Sequence, residues 1–313
     1  MLDAQERDHQ ITFPTPMSRL DQPIAATSHA RRLVDDARSV LVLTGAGISQ
    51  PSGVPTFRGP GGLWRDHKPE ELATPAAFAR DPVLVWEWYA WRRSLVAECD
   101  PNPAHHALAR FTALHPGVTL VTQNVDGLHE RAAAELALSL GITAAQRARP
   151  LALHGSLNRV RCTSCSYGAD YPELVDATSL ATLPTCPDCN MLLRPDIVWF
   201  GEALPTGILE RAWTAAESAD ICLVLGTSAV VQPAASLASA THASGGQVIE
   251  VNPQSTPLSA IASVVLRDSV ELVVPAILAT WQSADSTSEP VTGTPSTSRA
   301  PGPDASGADA DGQ

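Results

Sequence analysis

Four short, mainly apolar runs, at residues 40–43, 118–121, 221–225 and 248–251, are separated by longer stretches of helical character. Runs of this length without alternation are strands buried on both faces, and strands that alternate with helices build a parallel sheet covered on either side. The pattern predicts helices over 104–114, 207–217, 233–243 and 270–281. The expected fold class is α/β, a Rossmann-like parallel sheet with helices on both faces. Each apolar run gives way to a polar or glycine-bearing loop: Thr44-Gly-Ala-Gly47, Thr122-Gln-Asn-Val-Asp126, Gly226-Thr-Ser228 and Asn252-Pro-Gln254. In a parallel sheet all four loops fall on the carboxyl edge, where open α/β sheets bind their ligands.

The first loop extends through Ile48, Ser49 and Pro51 to Thr56, Phe57 and Arg58. Glycines at 45 and 47 lack the Cβ atoms that would hold the backbone away from an anion, and they permit the positive φ of a tight turn. With an arginine at its end the loop reads as a nucleotide cradle. The third glycine of the usual dinucleotide fingerprint is missing, so this loop alone leaves a plain tight turn open.

The chain of 313 residues can bury an α/β core and carry a smaller module. No apolar run approaches the roughly 20 residues of a membrane span, and the N-terminus is polar, so a cytoplasmic protein without a membrane partner is expected. A net charge of −12 argues against a nucleic-acid partner. Residues 283–313, rich in Ser, Thr, Pro, Gly and Asp, cannot bury apolar surface, so a disordered tail is expected, and residues 1–27 are expected to be a flexible extension.

Four of the 6 cysteines form Cys162-x-x-Cys165 and Cys186-x-x-Cys189. Two such turns close a tetrahedron of thiolates, the spacing of a structural zinc ribbon with no coordination site left for water. An inserted zinc module over 157–193 therefore interrupts a nucleotide-binding domain expected over 28–156 and 194–282, and the cleft between the two suits a second substrate. Cys99 and Cys222 are expected to be small core residues.

Gly45-Ala-Gly-Ile-Ser49, Gly53-Val-Pro-Thr-Phe-Arg58, Thr122-Gln-Asn-Val-Asp-Gly-Leu-His129, His154-Gly-Ser156, the four cysteines, Val198-Trp-Phe-Gly-Glu202, Gly226-Thr-Ser228 and Val251-Asn252 follow one another in this order. Over residues 30–278 the chain thereby resembles the sirtuins, NAD-dependent protein-lysine deacylases. The resemblance implies NAD as co-substrate, held by Gly45, Ala46, Gly47, Ile48, Ser49, Thr56, Phe57, Arg58, Trp64, Gln123, Asn124, Val125, Asp126, Gly226, Thr227, Ser228, Asn252, Pro253, Gln254 and Asp268. It makes His154 the general base, with Asn124 and Asp126 beside it. Imidazole suits that task, because its ordinary pKa of about 6.5 lets it take a proton from a ribose hydroxyl at neutral pH. In the implied mechanism the acyl-lysine oxygen attacks C1′ of the nicotinamide ribose and expels nicotinamide. His154 then activates the 2′-hydroxyl, and water releases lysine and 2′-O-acyl-ADP-ribose. The acyl-lysine peptide is expected as an added strand between 198–202 and 229–232, touching Val198, Phe200, Gly201 and Glu202.

Tyr89 and Arg92 lie three residues apart, on one helical face. They resemble the pair by which class III sirtuins bind the carboxylate of succinyl- or malonyl-lysine, which implies a preference for acidic acyl groups over acetyl. Arg93 is expected at the surface. Departures from the family pattern are the alanine-rich stretch 132–149, which is longer, and Pro51 and Pro60. The other readings are a plain deacetylase, a module that binds ADP-ribose or acyl-lysine without turnover, and a zinc-containing dehydrogenase, in which His154 has no role. A monomer is expected.

Overall fold

The computed structural model describes residues 21–55 and 67–282. Its elements run α1 (Asp21–Asp36), β1 (Val40–Thr44), α2 (Pro69–Leu72), α3 (Pro75–Arg80), α4 (Pro82–Ala97), α5 (Pro103–Leu114), β2 (Val118–Thr122), α6 (Leu128–Leu140), α7 (Ile142–Arg147), β3 (Leu151–Ala152), β4 (Gly155–Cys162), β5 (Gly168–Asp170), β6 (Leu193–Ile197), α8 (Thr206–Ser218), β7 (Ile221–Leu225), α9 (Ser236–Ala243), β8 (Gln247–Val251), β9 (Val264–Leu266), α10 (Val270–Ile277) and α11 (Ala279–Gln282). The large sheet has the order β3-β2-β1-β7-β8-β9 and every neighbouring pair in it is parallel. From β1 the chain winds outward through β2 and β3, then returns to β7 on the other side of β1. The switch point between β1 and β7 is where such a sheet opens a crevice for ligand.

Alternation along each strand feeds two cores. Val40, Val42, Leu223 and Ile249 face Ala30, Leu108, Phe111 and Val274 of α1, α5 and α10. Leu41, Leu43, Cys222 and Val224 face Ala212, Ala216, Leu237 and Ala238 of α8 and α9. Both β1 and β7 are buried along their whole length, so their apolar sequences carry no polar face. Cys99 and Cys222 are buried, as expected.

A third core holds Phe78, Trp86, Trp88, Tyr89, Val160, Cys162, Leu193 and Trp199, joining α3 and α4 to the antiparallel sheet β5-β4-β6. Helix α4 therefore packs with the cysteine-bearing segment, a grouping the chain order does not suggest. The alanines of 132–149 pack as a small cluster against α5, with Ala132, Ala133, Ala144 and Ala148 against Ala109 and Ala113.

Several expectations need correction. Residues 21–27, placed in a flexible extension, are the first turns of α1, whose Ala30 and Val34 are buried against the sheet. The inserted module does not stop at 157 and 193, because Gly155 and Ser156 pair with Ile197 and Asp196 in the small sheet. The helix expected over 233–243 starts at Ser236, and that over 270–281 breaks after Ile277. Strands β3 and β9 were too short to register as apolar runs. No helix among the described residues is long and apolar enough to cross a membrane.

Candidate active site

The loops after β1, β2, β7 and β8 meet at the switch point. Gly45 N donates to Leu225 O at 3.1 Å, Gly47 N to Gly226 O at 2.8 Å and Gly226 N to Val251 O at 3.0 Å. A Cβ on Gly45 would lie 2.7 Å from the Thr227 Cβ, and one on Gly47 2.7 Å from the Gly226 oxygen. Glycine is thus required at both positions for contact between the loops. Neither residue has a left-handed φ, which occurs instead at Gly53 (97°) and Gly226 (60°).

Below the loops a chain of side chains fixes Asn124 and Asp126. Asn102 caps α5, and its backbone N–H faces Nδ1 of His105 at 3.3 Å. That makes Nδ1 the acceptor and leaves the proton on Nε2, 3.4 Å from the Ser49 hydroxyl. Ser49 also accepts from Asn124 Nδ2 at 3.1 Å, so its own proton turns to the Asp126 carboxylate. Asn124 Nδ2 reaches Gly45 O at 3.2 Å as well, and Asp126 accepts from Leu128 N at 2.9 Å, starting α6. Burial pushes the Asp126 carboxyl up, while the Leu128 N–H, the Ser49 hydroxyl and the Arg92 charge hold it down. His129 faces Thr44, which pairs with Thr122, at 3.0 and 2.8 Å. The role of Ser49 as a hub, joined to His105 and Asn124, has no signal in the local sequence, because its partners lie far apart in the chain.

The rings of His105 and His129 lie 4.8 Å apart, and burial lowers their pKa values to about 2 and about 4. Each stays neutral in the folded chain at pH values where the unfolded chain binds a proton. Their contribution is complete above the unfolded value of about 6.5 and is lost as pH falls, by up to about 1.4 kcal/mol per pH unit per ring. Denaturant midpoints between pH 6.5 and 5.5 should therefore fall for the wild-type chain. The H129Q variant should show a shallower fall; an equal slope would remove His129 from the account.

His154 follows β3, whose pairing with β2 brings its Nδ1 to 2.8 Å from the Gln123 carbonyl. A carbonyl only accepts, so Nδ1 carries the proton and Nε2 keeps its lone pair. Burial lowers the His154 pKa, partly countered by that bond, and the ring is a neutral base at pH 7. Its own carbonyl accepts from Val198 N at 2.9 Å, which sets the base beside the segment expected to hold the peptide. Gln123 Nε2 reaches the Thr227 hydroxyl at 3.0 Å and Asn252 Nδ2 the Thr227 carbonyl at 2.8 Å, tying the loops together. Ala46 and Gly47 are half-buried, Ile48 and Val125 are buried, and Ser228, Pro253 and Gln254 are exposed at the same edge. Asp268 is exposed too, and its carboxylate caps its neighbour Ser269. Thr56, Phe57, Arg58 and Trp64 lie outside the described residues.

Tyr89 is buried on α4, its hydroxyl accepting from Trp199 Nε1 at 2.8 Å. Arg92, one turn on, is also buried; burial lowers its pKa and the Asp126 charge works against that. The Arg92 charge is thus within electrostatic reach of the Asp126 carboxylate. Arg93 is not a surface residue: it is 7% exposed because both sides of α4 are covered. Glu202 faces inward. Its oxygens take Arg194 Nη1 at 2.6 Å and Nη2 at 2.9 Å, Arg161 Nη2 at 3.0 Å and Trp199 N at 2.8 Å. Glu202 thereby braces the segment 198–202 from within. Val198 is half-buried, and Phe200 at 46% and Val230 at 47% are exposed, the apolar side chains left on the two segments expected to hold the peptide.

The four cysteine sulfurs lie within 4.8 Å of one another, with Cys162 to Cys189 at 3.4 Å, Cys165 to Cys186 at 3.6 Å and Cys165 to Cys189 at 3.7 Å. Disulfides are excluded at these distances, whereas a tetrahedron of about 2.3 Å Zn–S bonds has edges of about 3.8 Å. Ser164 N and Cys165 N point at the Cys162 sulfur and hold its thiol below the ordinary value, favouring the thiolate a metal needs. The cluster fits a structural zinc ion.

A model of the Sir2 family matches residues 45–233. NAD-dependent protein deacylase 1 of Archaeoglobus fulgidus is 48% identical over 236 residues, covering 75% of this chain and 90% of that protein. An NAD-dependent protein deacylase of Thermus thermophilus is 48% identical over 242 residues, 76% of this chain and 88% of that protein. Among solved structures, a Sir2 homologue in complex with NAD superposes with a TM-score of 0.73 at 44% identity, over 82% of this chain and 93% of the other. A Sir2 complex with p53 peptide and NAD gives 0.66 at 31% identity, over 80% and 95%.

Proposed function

The chain belongs to the Sir2 family, and from that premise we propose that it is an NAD-dependent protein-lysine deacylase that favours succinyl- and malonyl-lysine over acetyl-lysine. NAD supplies the ribose to which the acyl group passes, with release of nicotinamide. Asn124 and Asp126, fixed through Ser49, orient the ribose hydroxyls, and Nε2 of His154 takes the proton from the attacking one. A module that only binds has no use for a neutral base whose free nitrogen is held at a sheet edge, which favours turnover.

The observation that carries the acyl preference is the buried Tyr89 and Arg92 pair on α4, whose arginine lies within electrostatic reach of Asp126. A carboxylate bonded to a buried guanidinium contributes roughly 1.5 to 3 kcal/mol, so about tenfold or more in favour of an acidic acyl group is expected. The test compares matched succinyl- and acetyl-lysine peptides with NAD, following peptide mass and nicotinamide together. Succinyl should be lost faster, and R92M should reverse the order. Faster loss of acetyl by the wild-type protein would leave a plain deacetylase, and absence of nicotinamide from both would end the deacylase reading. Because His154 is depressed below its ordinary value, kcat/KM should rise with pH along a limb whose midpoint lies below about 6.5, flat above it. A midpoint above 7 would remove His154 as the neutral base.

A further inference from the structure

Arg93 takes no part in the chemistry described above, yet it is buried on α4 beside the acyl-recognition pair. Its guanidinium lies between two rings, 5.5 Å from the Trp86 centroid and 5.8 Å from that of Tyr171. Nη1 donates to the carbonyls of Tyr171 and Glu173, at 3.2 and 3.4 Å, in the loop that follows β5. That loop is itself fixed, since Tyr171 N donates to Asn158 O at 2.8 Å and β5 pairs with β4, which ends in Cys162. Two more bonds hold the same face of α4: Trp86 Nε1 donates to Leu193 O of the same module at 3.0 Å, and Trp199, just beyond that module, donates to Tyr89. Positions 86, 89 and 93 are spaced as one helical stripe. Meanwhile Nε and Nη2 of Arg93 are buried with no hydrogen-bond partner among the described residues. Orphaned donors cost stability, so an apolar side chain would serve packing better, and the bonds Arg93 does make must be explained by what they position.

We infer that Arg93 is a positioning residue for acyl-lysine recognition: it pins the end of α4 to the loop 171–173 of the cysteine module and so sets where Tyr89 and Arg92 stand. This rests on the reading of Tyr89 and Arg92 as the acyl site. The loop 171–173, far from the reacting atoms in sequence, thereby becomes a determinant of acyl selection, and binding of the ADP-ribose part of NAD by the loops after β1, β7 and β8 does not depend on it.

Calorimetric titration of the full chain with a succinyl-lysine peptide, an acetyl-lysine peptide and ADP-ribose tests this without turnover, in the wild-type protein and in R93M, R93K and Y171L. R93M should weaken binding of whichever peptide the wild-type protein prefers by about tenfold, shrink the difference between the two peptides, and leave ADP-ribose affinity within twofold. R93K, which keeps a donor for the two carbonyls, should recover part of the loss. Zinc content and melting temperature identify any variant that fails to fold, and the half-exposed Tyr171 gives Y171L as the variant that tolerates change. Unchanged peptide affinity in R93M and Y171L, or an equal loss for both peptides and ADP-ribose, overturns the inference. Failure of the acidic-acyl reading is seen separately, as wild-type preference for the acetyl peptide or its insensitivity to R92M.

Discussion

His154→Ala will lower turnover of acyl-lysine peptide by about a thousandfold and leave the chain folded. A positioned general base contributes roughly 100- to 10,000-fold, and the two buried imidazoles below the loops cannot replace this one. His105 and His129 are buried beneath Ser49 and Thr44, with pKa values near 2 and 4, and each has a ring nitrogen turned to one of those hydroxyls. The structural cost is small, since the ring is only half-buried and the bond to the Gln123 carbonyl is worth about 1 kcal/mol. His154 acts after nicotinamide has left, so exchange of labelled nicotinamide into NAD should survive in the variant while 2′-O-acyl-ADP-ribose ceases to form. A variant that makes product at near the wild-type rate would sink the assignment, and loss of exchange and product together with loss of ADP-ribose binding would mark a collapsed site.

Removal of zinc will unfold more than the ribbon that holds it. A four-sulfur site contributes on the order of 10 kcal/mol in short peptides, comparable to the whole stability of an ordinary domain of 5 to 15 kcal/mol. Cys162 and Cys186 are buried in the same core as Trp86, Tyr89, Leu193 and Trp199. Losing the metal therefore takes with it the surface on which α4 docks. The two cores that flank the parallel sheet contain no cysteine of the cluster, so they should persist. Hydrogen exchange after chelation, or in C186A, should show protection lost over 155–197 and over α4, with β1, β7 and β8 still protected. Intact protection of α4 in zinc-free protein would show that its packing does not depend on the metal.

Much of this was legible in the chain itself. Strand β7 runs over the residues its apolar pattern marked, and β1, β2 and β8 differ by one residue at an end, because strands buried on both faces need unbroken apolar sequence. The cysteine spacing identified the sulfur cluster for a similar reason, since two short turns leave few ways to place four ligands. Loop chemistry also placed Asn124 and Asp126 at the carboxyl edge, because strand direction in a parallel sheet follows from the need for helical crossovers, whereas the role of His154 came from the resemblance to the sirtuins.

What depended on tertiary structure was which atoms meet. Glycines 45 and 47 serve the approach of one loop to another, a steric demand made by Gly226 and Thr227 from nearly 200 positions away in the chain. The tautomer of His154 is set by the Gln123 carbonyl just past the end of β2, through the two-residue strand β3 that has no apolar signature. Arg93 looked like surface, since neighbouring positions on a helix normally face different ways and a charge next to a buried arginine is expected to find water. It is covered because α4 is enclosed by α3 on one hand and the cysteine module on the other, and its charge is met by two rings and two carbonyls. Local sequence sets periodicity, ligand spacing and strand direction, which are short-range properties. Burial of a charge, the direction of a hydrogen bond and the fit between loops depend on partners distant in the chain, and only the folded arrangement supplies them.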